Sequence, residues 1–319
     1  MVKLRDARYC NLKLLLIFLV VYGHLIEPGI WQSKILMTQY KWIYLFHMPL
    51  FCFLSGLFLN DSKTCGRQCV KMVSLYIFLQ TFAVLLGNGK VKPLTPYWHL
   101  WYLLSYSAWA ALGWFWFRFC GGKGKVIILI CLILIGCLAG FEAEIGREHS
   151  LSRTLVFLPF FWMGLICHPQ FPWERLRWAG VTAFVVAISV MAHWGDQISA
   201  VFLYQAAPYG RTENGVQLRL ICYLLGTLIC LFLLALTPMQ RFPFTRAGAD
   251  TMPVYLIHAP IVLYIRELDL PWPYLLLIAA VILYAVYKLL QWHGALYGIV
   301  PTERRDRFGS VHHEVSVCR

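Results

Sequence analysis

The sequence predicts an all-α, polytopic membrane protein with about ten transmembrane helices and both termini in the cytoplasm. Of its 319 residues, 60% are hydrophobic and only 13% are charged, whereas a soluble domain usually has about 25% charged residues. The apolar residues form continuous runs, and a run of about 17 to 20 residues is long enough to cross a bilayer as a helix. Barrel strands would instead alternate between polar and apolar residues in shorter segments.

Ten apolar segments are candidate spans, of which the sixth and the ninth are the shortest. In chain order they are 12–30, 41–59, 70–87, 98–118, 124–140, 154–167, 178–194, 217–236, 251–265 and 271–290. We expect them to form a single transmembrane domain, residues 1–300, followed by a polar cytoplasmic tail, residues 301–319.

The basic residues are distributed unevenly among the connections between these segments. If the N-terminus is cytoplasmic, 18 Lys and Arg residues lie in inner connections and 9 in outer ones, which is the positive-inside bias. The net charge of +13 is therefore a matter of membrane topology, and the sequence lacks the basic patch with exposed aromatics that nucleic-acid binding requires. The chain also has no HExxH or comparable zinc motif, so we expect no bound metal.

Ionisable residues inside the first two spans are the candidate site. A helical rise of about 1.5 Å per residue places His24 roughly 16 Å beyond Lys13, past the middle of the bilayer, with Glu27 one turn further. The second span runs back, so His47 lies about 9 Å in from the outer side. His258 in the ninth span is expected near the same level. Ionisable groups at such depths are costly and by default functional.

A histidine gains and loses a proton near neutral pH, and a neighbouring carboxylate fixes its tautomer and stabilises the imidazolium. His24, Glu27 and His47 are therefore candidate catalytic residues that activate a hydroxyl by general base catalysis. The competing interpretations are histidines satisfied by interhelical hydrogen bonds and a proton relay in a transporter or flippase of a lipid-linked glycan. The sequence shows no paired halves of the kind that transporters often contain. Ser55-Gly56 is interpreted as a small-residue packing site between helices.

Motifs along nearly the whole chain resemble one family, the acyltransferase-three family of integral membrane acyltransferases, and in particular its fucose 4-O-acetylase-like branch. The matching segments are NLKLLLIFLVVYGH (11–24), FHMPLFCFLSGLF (46–58), YWHLWYLL (97–104), LPFFWMG (158–164) and YLIHAP (255–260). In this family an Arg precedes the His of the first span, and here Lys13 takes its place. A lysine lacks the bidentate fork that an arginine offers to phosphate.

The resemblance implies a sugar or polysaccharide O-acetyltransferase in a bacterial inner membrane. It implies acyl-CoA, in the first instance acetyl-CoA, as a co-substrate bound from the cytoplasm, and no bound cofactor. His24 would be the base, and Lys13, Arg8 and Arg67 would bind the donor. The acceptor sugar would come from the outer side and would contact four residues, which are Trp98, Trp101, Tyr102 and His258.

Overall fold

The computed structural model describes residues 7–86, 92, 95–146, 150–210, 214–268 and 270–296, and these contain helices and connections but no strand. The α-helices are α1 Ala7–Ile26, α2 Lys34–Leu57, α3 Ser62–Leu86, α4 Trp101–Phe119, α5 Lys125–Leu138, α6 Leu151–Ile166, α7 Arg177–Trp194, α8 Ala200–Leu203, α9 Gly215–Leu236, α10 Met252–Arg266 and α11 Trp272–Leu296. Short 3-10 turns precede or follow several of them, at Glu27–Gly29, Trp98–Leu100, Trp173–Leu176 and Thr245–Gly248.

The prediction of an all-helical membrane protein is confirmed in its coarse form. Each predicted segment overlaps one of the helices, and the short helix α8 lies in a connection for which no helix was predicted. Among the described residues, five segments are long and apolar enough to cross a membrane: Ala7–Gly29, Ser62–Leu85, Trp173–Trp194, Gly215–Leu236 and Trp272–Trp292. The number of ten spans and the orientation stay predictions, and the predicted tail, 301–319, lies outside the described residues.

The chain divides into two compact units. The first contains the described residues up to Tyr40 and those from Thr237 onward, and the second contains Lys41–Leu236. The first unit therefore holds α1, α10 and α11, and the second holds α3 to α9.

In the first unit, α1 and α10 run parallel to each other. Near the start of α1, the Thr245 hydroxyl donates to Asn11 Oδ1 at 2.6 Å, and Asn11 Nδ2 donates to the carbonyl of Pro238 at 3.0 Å. Near its end, Arg266, the last residue of α10, donates through Nε to the carbonyl of His24 at 2.9 Å. The connection that precedes α10 thus lies at the start of α1, and the last residue of α10 lies near the end of α1, so the two helices run in the same direction.

In the second unit, glycines bring α2 and α6 into backbone contact. A Cβ atom at Gly56 would collide with the carbonyl of Phe161, and one at Gly164 would collide with the carbonyl of Phe53. Close approach through small residues is typical of helix pairs in membranes. The interpretation of Ser55-Gly56 as a packing site agrees with this contact.

Candidate active site

The end of α1 positions the first two candidate residues. α1 ends at Ile26, so the last carbonyls of the helix have no partner within it. Residue 28 is a proline, which has no N–H group to donate to the carbonyl of His24 four residues earlier. The chain continues as a 3-10 turn, Glu27–Gly29, and the side chain of Glu27 turns back toward His24, whose Nδ1 lies 3.5 Å from Glu27 Oε2.

Arg266 completes this arrangement. Its Nη2 donates to Glu27 Oε2, and both Nε and Nη2 donate to the carbonyl of His24. One guanidinium thus binds the carboxylate and also the helix carbonyl that Pro28 leaves open. A cation at the C-terminal end of a helix is also favoured by the helix dipole.

His258 flanks the same imidazole. Its ring is stacked on that of His24, with centroids 5.6 Å apart and an interplanar angle of 20°. The side chain of His258 is 0% exposed, and its Nδ1 lies 2.6 Å from the carbonyl of Tyr255. Because a carbonyl only accepts, Nδ1 of His258 carries the proton in this contact.

The exposure of these groups suits a reactive site. The side chains of His24 and Arg266 are each 19% exposed and that of Glu27 is 20% exposed. They are dry enough for charge–charge interactions to be strong, yet an edge of the site is accessible. The ion pair of Glu27 and Arg266 has no net charge, and the imidazole of His24 lies beside its carboxylate.

The three predicted donor-binding residues occupy different environments. Arg8 is in the first turn of α1 and is 1% exposed, and Lys13 is half-buried on the same helix. Arg67 lies on α3, in the second unit, and is exposed. Lys13 stays eleven residues before His24 on one continuous helix, so the predicted separation of roughly 16 Å along the axis is retained.

His47, the third predicted catalytic residue, belongs to the second unit. It is buried on α2, its Nδ1 lies 2.8 Å from the carbonyl of Ile43, and the ring of Tyr44 packs edge-on at a centroid distance of 4.7 Å. Its Nδ1 is therefore the protonated nitrogen, and Nε2 is the basic one in the neutral ring.

The predicted acceptor-binding aromatics are mostly internal to the second unit. Trp101 is buried between the guanidinium of Arg153, 5.2 Å from its ring, and Phe157, at 5.7 Å. Tyr102 is buried with its hydroxyl 2.5 Å from the hydroxyl of Ser55. Trp98 is half-buried in the turn that precedes α4.

Arg266 is the residue that sequence reasoning did not assign to the site. In the sequence it is one of the basic residues in connections that are predicted to be outer, directly after the ninth segment. It lies 239 residues from Glu27, so no local spacing could reveal the pair. The one available signal was chemical, since a carboxylate at the end of a membrane span needs a cationic partner.

A histidine and a carboxylate at the end of α1, with an arginine from the end of α10 bound to the carboxylate, form a candidate proton-transfer site in a helical membrane protein. Comparison with known proteins identifies its family. The family model described as "Acyltransferase domain" matches residues 9–289. The chain therefore belongs to this family of acyltransferases, which is the one that the sequence motifs resemble.

One curated relative is similar to the chain at low identity. It is the nodulation protein NolL of Mesorhizobium japonicum, with 24% identical residues over 296, covering 81% of this chain and 76% of that protein. No solved structure matches the chain. Family membership and the apolar helices together indicate a multi-pass membrane enzyme that transfers an acyl group other than aminoacyl.

Proposed function

We propose that this protein is a membrane O-acyltransferase that moves an acyl group, in the first instance acetyl, from acyl-CoA to a hydroxyl of a sugar or polysaccharide. The observation that carries the proposal is the contact of His24 with Glu27, itself bound by Arg266. This is a histidine–carboxylate pair in a chain of the acyltransferase family. It has the parts that general base catalysis on a hydroxyl requires.

His24 is the proposed base. Its Nδ1 faces Glu27 Oε2, so the carboxylate favours the tautomer that carries a proton on Nδ1 and leaves the lone pair on Nε2. Nε2 removes the proton of the acceptor hydroxyl. Glu27 then stabilises the imidazolium that forms, and Arg266 keeps the carboxylate oriented.

The deprotonated oxygen attacks the carbonyl carbon of the thioester. A carbon–oxygen bond forms, the carbon–sulfur bond breaks, and CoA leaves as a thiolate that takes the proton from His24. The ester product and free CoA result, and His24 returns to its starting state. No metal and no bound cofactor enters these steps.

His258 and His47 have supporting roles in the proposal. The ring of His258 lies against that of His24 and would hold its plane while the proton moves. As the third residue of the proposed catalytic set, His47 offers its Nε2 as a second acceptor for a proton, because its Nδ1 faces the carbonyl of Ile43.

The donor would approach from the opposite end of α1. Lys13 lies roughly 16 Å from His24 along the helix, which suits an extended pantetheine arm with its phosphates among basic side chains. Lys13, Arg8 and Arg67 are the proposed donor-binding residues, with Lys13 as a point charge rather than a bidentate fork.

The acceptor would be presented at the other side of the membrane, with the protein in a bacterial inner membrane and both termini in the cytoplasm. Among the proposed acceptor-binding aromatics, Trp98 is the more accessible ring and would stack on the sugar. Trp101 and Tyr102 would hold the turn that carries Trp98.

The substitution His24→Ala tests the proposal. Loss of a general base slows a reaction by about 10² to 10⁴-fold. In membranes containing this variant we therefore expect the rate of acetyl transfer from acetyl-CoA to envelope glycan to decrease by a factor in that range. His193→Ala is the matched control, because His193 is exposed in the last turn of α7, and it should keep full activity. Full activity of His24→Ala would overturn the assignment.

Glycan mass spectrometry identifies the acceptor in the same strains. A deletion strain should lose an acetyl increment that the wild-type gene restores and the His24→Ala gene does not. An unchanged glycan, combined with movement of a lipid-linked sugar that requires no acyl-CoA, would favour the transporter interpretation instead.

A further inference from the structure

Another arginine, Arg219, is fully buried in the second unit of the chain. Arg219 lies in the second turn of α9 and is 1% exposed. Its Nε donates to the hydroxyl of Tyr209 at 3.4 Å. Its two terminal nitrogens, Nη1 and Nη2, have no hydrogen-bond partner among the described residues. A guanidinium carries five N–H donors, so most of its hydrogen-bonding capacity is unused.

Aromatic rings hold the guanidinium in place. Its central carbon lies 5.0 Å from the ring centroid of Phe202 and 5.4 Å from that of Tyr209. Tyr209 is itself fixed, because Gly140 and Gly215 leave no room for a side chain beside its ring and its hydroxyl donates to the carbonyl of Cys137 at 2.8 Å. With that proton committed, the Tyr209 oxygen can only accept from Arg219.

These contacts do not neutralise the charge. Within the described part of the chain Arg219 forms no ion pair with a carboxylate. A cation in the interior is costly without an anionic partner, and the faces of two rings offset only part of that cost. The side chain is thus held in a fixed position, and no carboxylate among the described residues compensates its charge.

Arg219 also lines a small cavity. The cavity has a volume of about 20 Å³ and is bounded by Arg219, Gln205, Tyr44, Tyr223, Cys222 and several apolar side chains. This volume holds one particle of about the size of a water molecule. Gln205 is 6% exposed, and its Oε1 is buried without a hydrogen-bond partner among the described residues.

The backbone around Gln205 is held in position. Gln205 has a left-handed conformation, with φ of 56°, which is unfavourable for a residue other than glycine. Its carbonyl accepts from the hydroxyl of Ser152 at 2.9 Å, and the preceding carbonyl, of Tyr204, accepts from Arg153 Nε at 3.0 Å. Strained backbone that neighbouring contacts enforce is frequent at ligand-binding positions.

We infer that Arg219 and Gln205 bind one small monovalent anion of the size of chloride in this cavity. The anion would accept hydrogen bonds from Nη1 and Nη2 of Arg219. A half-turn of the Gln205 amide would present its Nε2–H group as a third donor. A water molecule has the right size but supplies no charge, whereas an anion compensates the buried cation as well. This site is independent of the proposed acyl transfer.

The test measures the thermal unfolding of the full-length protein, purified in detergent, in sodium chloride or sodium gluconate at equal ionic strength. A ligand that binds only the folded state raises the midpoint temperature as its concentration increases. We expect a progressive rise with chloride and with bromide, and none with gluconate, which is too large for the cavity. Equal midpoints in chloride and gluconate would overturn the inference.

Two variants locate the effect at this cavity. Gln205→Glu places a carboxylate beside Arg219, and we expect it to fold with a midpoint that no longer depends on chloride. Arg219→Met removes the cation, and where it folds it should lose the dependence too. Arg118→Met is the matched control, since Arg118 is exposed beside the ring of Phe119, and it should keep the wild-type response. A chloride dependence that survives in Gln205→Glu would place the anion elsewhere and refute the site.

Discussion

The pair formed by Glu27 and Arg266 gives the sharpest prediction about the candidate active site. The two side chains share an ion pair, and Arg266 also donates to the carbonyl of His24. If Arg266 acts by orienting Glu27, removing either partner should impair the same interaction. We therefore expect Arg266→Met and Glu27→Gln each to slow acyl transfer, and the double variant to be no slower than the more impaired single variant.

The expected size follows from the contacts. A hydrogen bond to a charged group contributes about 1.5–3 kcal/mol, and both side chains keep about one fifth of their surface exposed, which favours the lower part of that range. A coupling of about 1.5–2 kcal/mol corresponds to roughly a 10- to 30-fold change in rate, since about 1.4 kcal/mol is a factor of ten. Each single variant should lose at least that factor, and the two losses should fail to add by about the same factor.

The assay is the initial rate of label transfer from radioactive acetyl-CoA to glycan in membranes, corrected for the amount of folded protein. Glu267→Gln is the matched control, because Glu267 follows Arg266 directly and is exposed, and it should retain the wild-type rate. Losses that add in the double variant would mean that Glu27 and Arg266 act separately. A wild-type rate in Arg266→Met would remove Arg266 from the site altogether.

Two predictions concern stability and are measured as thermal unfolding in detergent. Gly164→Ala places a methyl group against the carbonyl of Phe53 and should lower the free energy of unfolding by about 1–3 kcal/mol. Gly66→Ala is the control, because its methyl group would meet only a side chain, and its stability should be close to that of the wild type. Equal effects of the two substitutions would contradict the backbone contact. Asp61 accepts from the backbone N–H of Thr64 at 2.7 Å at the start of α3, and this bond lowers the pKa of the Asp61 carboxyl. Asp61→Ala should therefore lower the free energy of unfolding by about 1 kcal/mol at neutral pH. This difference from the wild type should be complete above the ordinary aspartate pKa and should disappear as the pH falls through the lowered pKa of the folded protein. A difference that stays constant into the acid range would refute the capping role.

The sequence was sufficient to predict the helices and two neighbours of His24, which are Glu27 and His258. Continuous apolar runs determine where helices form in a membrane, and every predicted segment overlaps a helix. The proximity of Glu27 followed from helical spacing alone. His258 was expected near the level of His24, and the two rings are stacked.

The remaining parts depend on tertiary contacts that leave no local trace. In the sequence, Arg266 is a basic residue just after the ninth predicted segment and Arg219 is one near the start of the eighth. In the fold, Arg266 binds Glu27, and Arg219 is buried against two rings. Trp101 and Tyr102 were assigned to a sugar because aromatic residues at a span end suit that role, but in the helix packing their rings face protein neighbours. A single sequence does not distinguish a ring that faces a ligand from one that faces another helix.

The parallel course of α1 and α10 constrains how the chain is threaded through the bilayer. Two parallel spans enter from the same side, so the chain that leaves the end of α1 has to return to that side before α10 begins. When both helices span the membrane, the chain between them must cross it an odd number of times. Seven spans are predicted between these two helices, which is an odd number as required. A revised topology that removes one of these spans would therefore have to remove or add a further one.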